Sequence, residues 1–135
     1  MFFKENKNEK DDLAKVAALL IHAAKIDENF TEKEEEIIKQ ALKKISGNDI
    51  DINNVIKKGK IIEENTNQIL DFTREVKNMD EQNKIEIIET LWRIIYSNKD
   101  ADIYETNLMR RLAGLLYIDH KIMGDIKQKI KKENS

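Results

Sequence analysis

The chain has 135 residues, no cysteine, no proline and four glycines, and its 24 Lys plus Arg against 26 Asp plus Glu leave a formal net charge of −2. One domain is expected at this length, while disulfides, cysteine-based zinc sites and cysteine nucleophiles are excluded outright. The near-balanced charge gives no whole-chain attraction to nucleic acid or anionic lipid, so neither is expected as a partner.

No address or anchor is expected ahead of the first helical pattern. Met1-Phe2-Phe3-Lys4 runs straight into Glu5, Asn6, Lys7 and Asn8, which leaves no apolar signal-peptide core. The apolar stretch Val16 to Ala24 contains His22 and is too short to span a bilayer. A soluble, cytoplasmic chain with no direct membrane insertion is expected. Residues 1–8 are assigned to a flexible N-terminus, 9–131 to a helical domain and 132–135 to a frayed C-terminus.

Helix formers dominate the composition. Leu13, Val16, Ala17, Leu20, Ala23 and Ala24 recur at three- and four-residue spacing, the stripe of a helix. Leu19 and Ile21 lie off that stripe, so this helix is expected to be buried on most sides. Ile37, Ile38, Ala41, Leu42 and Ile45 form a one-sided stripe that Gly47 is expected to stop. Asp51 is expected to cap a short helix ending near Gly59, with another short stretch opening at Ile61 and Ile62. Ile69, Leu70, Phe72 and Val76 give the next face, capped at Asn65 or Asn67. Asp80 caps the run Ile85, Ile87, Ile88, Leu91, Trp92, Ile94 and Ile95, expected to be the second central helix. Leu108, Met109, Leu112, Ala113, Leu115 and Leu116 follow, and Asp119 caps a last helix with Ile122, Ile126 and Ile130. Nothing alternates long enough for a strand. An all-α domain is expected.

A shift of 71 residues superposes two helix–loop–helix units. Val16-Ala17 falls on Ile87-Ile88, Leu20 on Leu91, Ala23-Ala24 on Ile94-Ile95, Ile37-Ile38 on Leu108-Met109, and Ala41 on Leu112. Two pseudo-symmetric helical hairpins around a shared core are expected; coincidence of helical stripes is the competing explanation. The connecting loops match too. Oxygen-bearing side chains recur at alternate positions in Asp27, Asn29 and Thr31, then Glu34, and in Asn98, Asp100 and Asp102, then Glu105.

Alternating short oxygen ligands suit a hard cation such as calcium. An EF-hand is rejected, because its glycine position holds Glu32 or Ile103 and its bidentate glutamate position holds Ile38 or Met109. A non-standard divalent site at Asp27, Asn29 and Glu34, or at Asn98, Asp100, Asp102 and Glu105, remains one reading. The other is capping alone. Thr31 with Glu34, and Asp102 with Glu105, have capping-box spacing, and acids in a first turn complement the helix dipole.

The buried helix, short acidic turn and early Glu resemble the TerB (tellurite-resistance protein B) family, whose turns commonly read Ala-Asp-Gly-x-apolar-x-x-x-Glu. The first copy here is Ile26 through Glu34. The second is Ser97 through Glu105, leading into Leu108-Met109-Arg110-Arg111-Leu112-Ala113. The family glycine is replaced by Glu28 and Lys99, and the second Asp by Asn98. The resemblance covers about residues 13 to 130. It implies a single bundle of about seven helices with internal pseudo-symmetry, no enzymatic activity, and a place in tellurite or stress responses with metal-linked complexes at the membrane. A TerB-like domain also forms the N-terminal part of membrane-anchored J-domain co-chaperones.

Elsewhere no catalytic constellation is found. His22 and His120 lack a second ligand at clear spacing, and Ser46, Ser97 and Ser135 lie in no nucleophile elbow. Trp92 reads as a core anchor. Arg110 and Arg111 read either as a solvated edge or as an anion or partner contact. The expected function is a non-catalytic interaction module whose partners are other proteins, met through an acidic or apolar face. The alternative is a divalent-metal protein with a weakly bound cation such as calcium, no cofactor being required. A homodimer through an exposed Ile-rich stripe stays open.

Overall fold

The computed structural model describes residues 7–25, 30–47, 49–66, 70–97 and 103–133, and every regular element among them is an α-helix. In chain order these are α1 (Lys7–Ala24), α2 (Glu32–Ser46), α3 (Ile52–Glu64), α4 (Leu70–Lys77), α5 (Glu81–Tyr96), α6 (Ile103–Leu115) and α7 (His120–Glu133).

The helix starts follow from capping chemistry. An early helix N–H lacks an intrahelical acceptor, and a short side-chain oxygen just before it supplies one. Asp51 Oδ1 accepts from the Asn54 N–H at 3.2 Å and Asp80 Oδ1 from Asn83 at 2.8 Å. Asp119 Oδ1 accepts from Lys121 at 2.8 Å ahead of α7. Gly47, at φ +89°, ends α2, and its N–H returns to the Lys43 carbonyl. A left-handed backbone of this kind costs glycine nothing.

Helix α1 lies at the centre. Ala14 and Val16 through Ile21 are each at most 1% exposed, because α1 packs against α2, α3, α4 and α5. Full burial of Leu19, Leu20 and Ile21 contributes about 1.5–3 kcal/mol each as an upper estimate. Among the described residues the most extensive pairing is α1 with α3, followed by α5 with α7.

Helix α3 departs from the sequence expectation. No stop occurs at Gly59 and no separate stretch opens at Ile61; one helix runs from Ile52 to Glu64. Gly59 is buried, and a Cβ there would lie 2.8 Å from Ala17 Cβ, 3.2 Å from Ala18 N and 3.3 Å from the Ala14 carbonyl oxygen. This glycine sets how closely two helices approach. Asn65 closes α3 instead of capping α4, its Nδ2 donating to the Ile61 carbonyl at 3.0 Å. Asn67 and Ile69 lie outside the described residues, as do the side chains of Leu70 and Phe72, while Val76 is fully buried.

The burial pattern repeats at the 71-residue offset. From Val16 to Ala24 every position is buried except the half-buried His22; from Ile87 to Ile95 every position is buried except the half-buried Arg93. Ile38, Ala41 and Leu42 of α2 correspond to Met109, Leu112 and Ala113 of α6, all buried. Val55 and Gly59 of α3 correspond to the buried Ile126 and Ile130 of α7.

Two glycine substitutions should therefore move stability in opposite directions. Gly59→Ala gains helix propensity of about 1 kcal/mol but forces α1 and α3 apart, an overpacking cost of about 1–3 kcal/mol, so its urea midpoint should fall. Gly124→Ala in α7 meets nothing within 4 Å and should raise stability by about 0.5–1 kcal/mol. Equilibrium urea unfolding followed by circular dichroism checks both signs.

Candidate functional site

The first acidic turn is the only one whose key carboxylate is described. Thr31 precedes α2 in extended conformation, and its Oγ1 accepts from the Glu34 N–H at 3.1 Å. Glu34 Oε1 accepts in return from the Thr31 N–H at 2.9 Å and from Thr31 Oγ1 at 3.2 Å. Both halves of the capping box are present, and Glu34 is fully buried. Glu32, Glu34 and Glu35 occupy the first turn of α2, where the helix dipole favours negative charge. Of the other proposed ligands, Asp27, Asn29, Asn98, Asp100 and Asp102 lie outside the described residues, and Glu105 is placed only by its backbone within α6. Among the described residues no group of three His, Asp or Glu gathers around a common point.

Long-range ion pairs fasten each central helix to its main partner. On α1, His22 Nδ1 lies 3.2 Å from Glu63 Oε2, and Lys25 Nζ donates to Glu63 Oε1 at 2.7 Å, tying α1 to the end of α3. At the position matching His22, Arg93 Nε and one terminal nitrogen donate to the two Glu133 oxygens at 3.1 and 3.2 Å, tying α5 to the end of α7. Lys129 Nζ adds a 2.7 Å bond to the buried Glu89. Lys60 Nζ reaches Glu35 at 2.9 Å and joins α3 to α2.

These contacts set the acid–base behaviour. Burial pushes the Glu63 carboxyl up, but the hydrogen bonds from Lys25 and His22 outweigh it and hold its pKa below the ordinary 4.5. The Arg93 guanidinium lowers Glu133 in the same sense, and Glu133 in turn raises Arg93. Lys60 lowers Glu35. His22 is thus a structural partner, in keeping with its lack of ligand spacing.

Between α5, α6 and α7 lies an open groove of about 140 Å³. Trp92, Met109, Ala113 and Met123 form an apolar floor, with Gly124 on the α7 side. Arg110, His120 and Lys127 form a basic rim, and among the described residues no carboxylate lines it. The Lys127 ammonium stands 5.3 Å from the centre of the Trp92 ring, a cation–π contact. Trp92 is buried, as expected of a core anchor, but its Nε1 has no hydrogen-bond partner.

The groove was not anticipated, although the repeat carries its signal. At the matching positions of the first unit, Leu42 stands for Ala113, Asn53 for Gly124 and Ile56 for Lys127. Ile38, Leu42 and Ile56 are all buried there, and α2 packs directly against α3. Smaller and more polar residues leave the second unit open where the first is filled.

The model of the family described as tellurite resistance protein TerB matches residues 13–128. No match was found among curated proteins or among solved structures.

The depressed Glu63 pKa fixes the sign of an acid effect. Its contribution is fully present above the unfolded-state value near 4.5 and is lost as pH falls through the lower folded-state value. Glu63→Gln should lower the urea midpoint at neutral pH and flatten its decline in acid. Parallel acid profiles for variant and wild type would show that this pair contributes nothing.

Proposed function

The chain belongs to the TerB family, and on that premise we propose that it is a non-catalytic interaction module that binds other proteins. The observation that carries this reading is the open groove beside Trp92, a concave apolar floor with polar groups at its edge, of a size for one side chain of a partner. The proposed setting is a tellurite or stress response, a reading supported by the family's description as a tellurite resistance protein. The proposed location is the cytoplasm, with partners that include membrane-associated complexes. No helix among the described residues is long and apolar enough to cross a membrane. The ion pairs described above hold helix to helix, and none of them is assigned a reaction.

Divalent-metal binding at the two acidic turns is the alternative, supported by the matched spacing of Asp27, Asn29 and Glu34 with Asn98, Asp100 and Glu105. The buried Glu34 carboxylate is engaged by its own cap, so a cation there would have to share it. On this alternative millimolar calcium raises the melting temperature, and Asp27→Ala with Asp100→Ala removes the rise. An unchanged melting curve eliminates it.

Affinity capture from the native host, with wild type and Gly124→Leu as baits, tests the main reading. Gly124 lines the groove and a Cβ there meets nothing within 4 Å, so a leucine at this position is placed to obstruct the groove. Reproducible partners of the wild type should be lost from the folded variant. Identical captures, or none, would contradict an interaction role for this groove.

A further inference from the structure

We propose that the occupant of the α5–α6–α7 groove is an acidic segment of a partner protein that inserts one large apolar side chain onto the Trp92 floor. The inference rests on the groove being the docking surface and adds the chemistry of what docks. Size is the first argument. A volume of about 140 Å³ is close to the roughly 150 Å³ apolar cavity that accommodates a benzene molecule. One leucine or phenylalanine side chain therefore fits, and a whole helix face does not.

Charge is the second argument. Arg110 and His120 are exposed on the rim and Lys127 is half-buried beside them. Asp119 and Asp125 are near in sequence but do not line the groove, and the Asp119 carboxylate already accepts the Lys121 N–H. Among the described residues the rim is cationic, although the chain as a whole is slightly acidic. Carboxylates flanking an inserted apolar group would meet Arg110 and Lys127, a charge-assisted pairing that a basic segment could not make.

The first unit supplies the contrast. At the matching place Leu42 and Ile56 are buried within the fold, and Ile56 stands where Lys127 brings charge to the second unit. An internal side chain does there what the partner's side chain does here.

The test uses the full chain and a labelled synthetic peptide with a leucine-lined face and glutamates elsewhere, measured by anisotropy. Because the chain has one tryptophan, its fluorescence reports occupancy of this groove alone. The glutamate peptide should bind saturably with a change in Trp92 emission and weaken as salt is raised. Arg110→Glu and Lys127→Glu should each weaken it by about tenfold or more. Gly124→Leu should abolish binding at an undiminished melting temperature. Equal binding of a peptide with lysines replacing the glutamates, no binding of the glutamate peptide, or full binding by Gly124→Leu would overturn the proposal. So would self-association of the wild type that Gly124→Leu abolishes, since a second copy would then be the occupant. If host partners are lost with Gly124→Leu while the glutamate peptide fails, the interaction reading stands and the acidic occupant does not.

Discussion

The close approach of α3 to α1 at Gly59 is the constraint on which the rest of the structure depends. Ala14, Ala17 and Ala18 give α1 a small-residue face, and the missing Cβ of Gly59 lets the α3 backbone lie against it. That contact seals one side of α1, and α2, α4 and α5 seal the others. From Val16 to Ala24 only His22 is not buried, which leaves this stretch little polar face, so its position is fixed mainly by packing. The ion pairs from His22 and Lys25 to Glu63 then fix the register at the end of the pair.

The same arrangement returns in the second half with different chemistry. α5 takes the place of α1 and α7 that of α3, and Arg93 with Glu133 repeats the clamp of His22 with Glu63. Bulkier residues replace the alanines. Ile88 stands for Ala17, Ile94 for Ala23 and Ile95 for Ala24, and Trp92 takes the place of Ile21. The second central helix needs more room, and the small residues move outward to Ala113 and Gly124. The space so created faces solvent, and the groove is its consequence. Divergence between two copies of one packing scheme thus gives a binding surface without disturbing the shared core.

Much of this was legible in the sequence because it is local. Capping chemistry acts over three residues, so Thr31 with Glu34, Asp51 and Asp80 could be read directly. Helical stripes gave the all-α class and the 71-residue repeat. Gly59 misled because glycine serves both as a stop and as a point of close approach, and the choice between them depends on Ala17, more than 40 residues away. Long-range pairs such as Arg93 with Glu133 leave no local signal at all. The groove was within reach, since a comparison of side-chain sizes across the repeat exposes Ala113 against Leu42. The acidic-turn ligands other than Glu34 belong to side chains outside the described residues.

One unit of the repeat buries Leu42 and Ile56 where the other opens a groove beside Trp92. Amide and indole NMR shift mapping with benzene as a neutral probe tests it most directly, because a small apolar molecule enters whatever apolar space exists. The account predicts perturbations at the Trp92 indole N–H and the amides of Ala113 and Gly124, with Leu42 and Asn53 unmoved. Equal shifts in both units, or none beside Trp92, would contradict it.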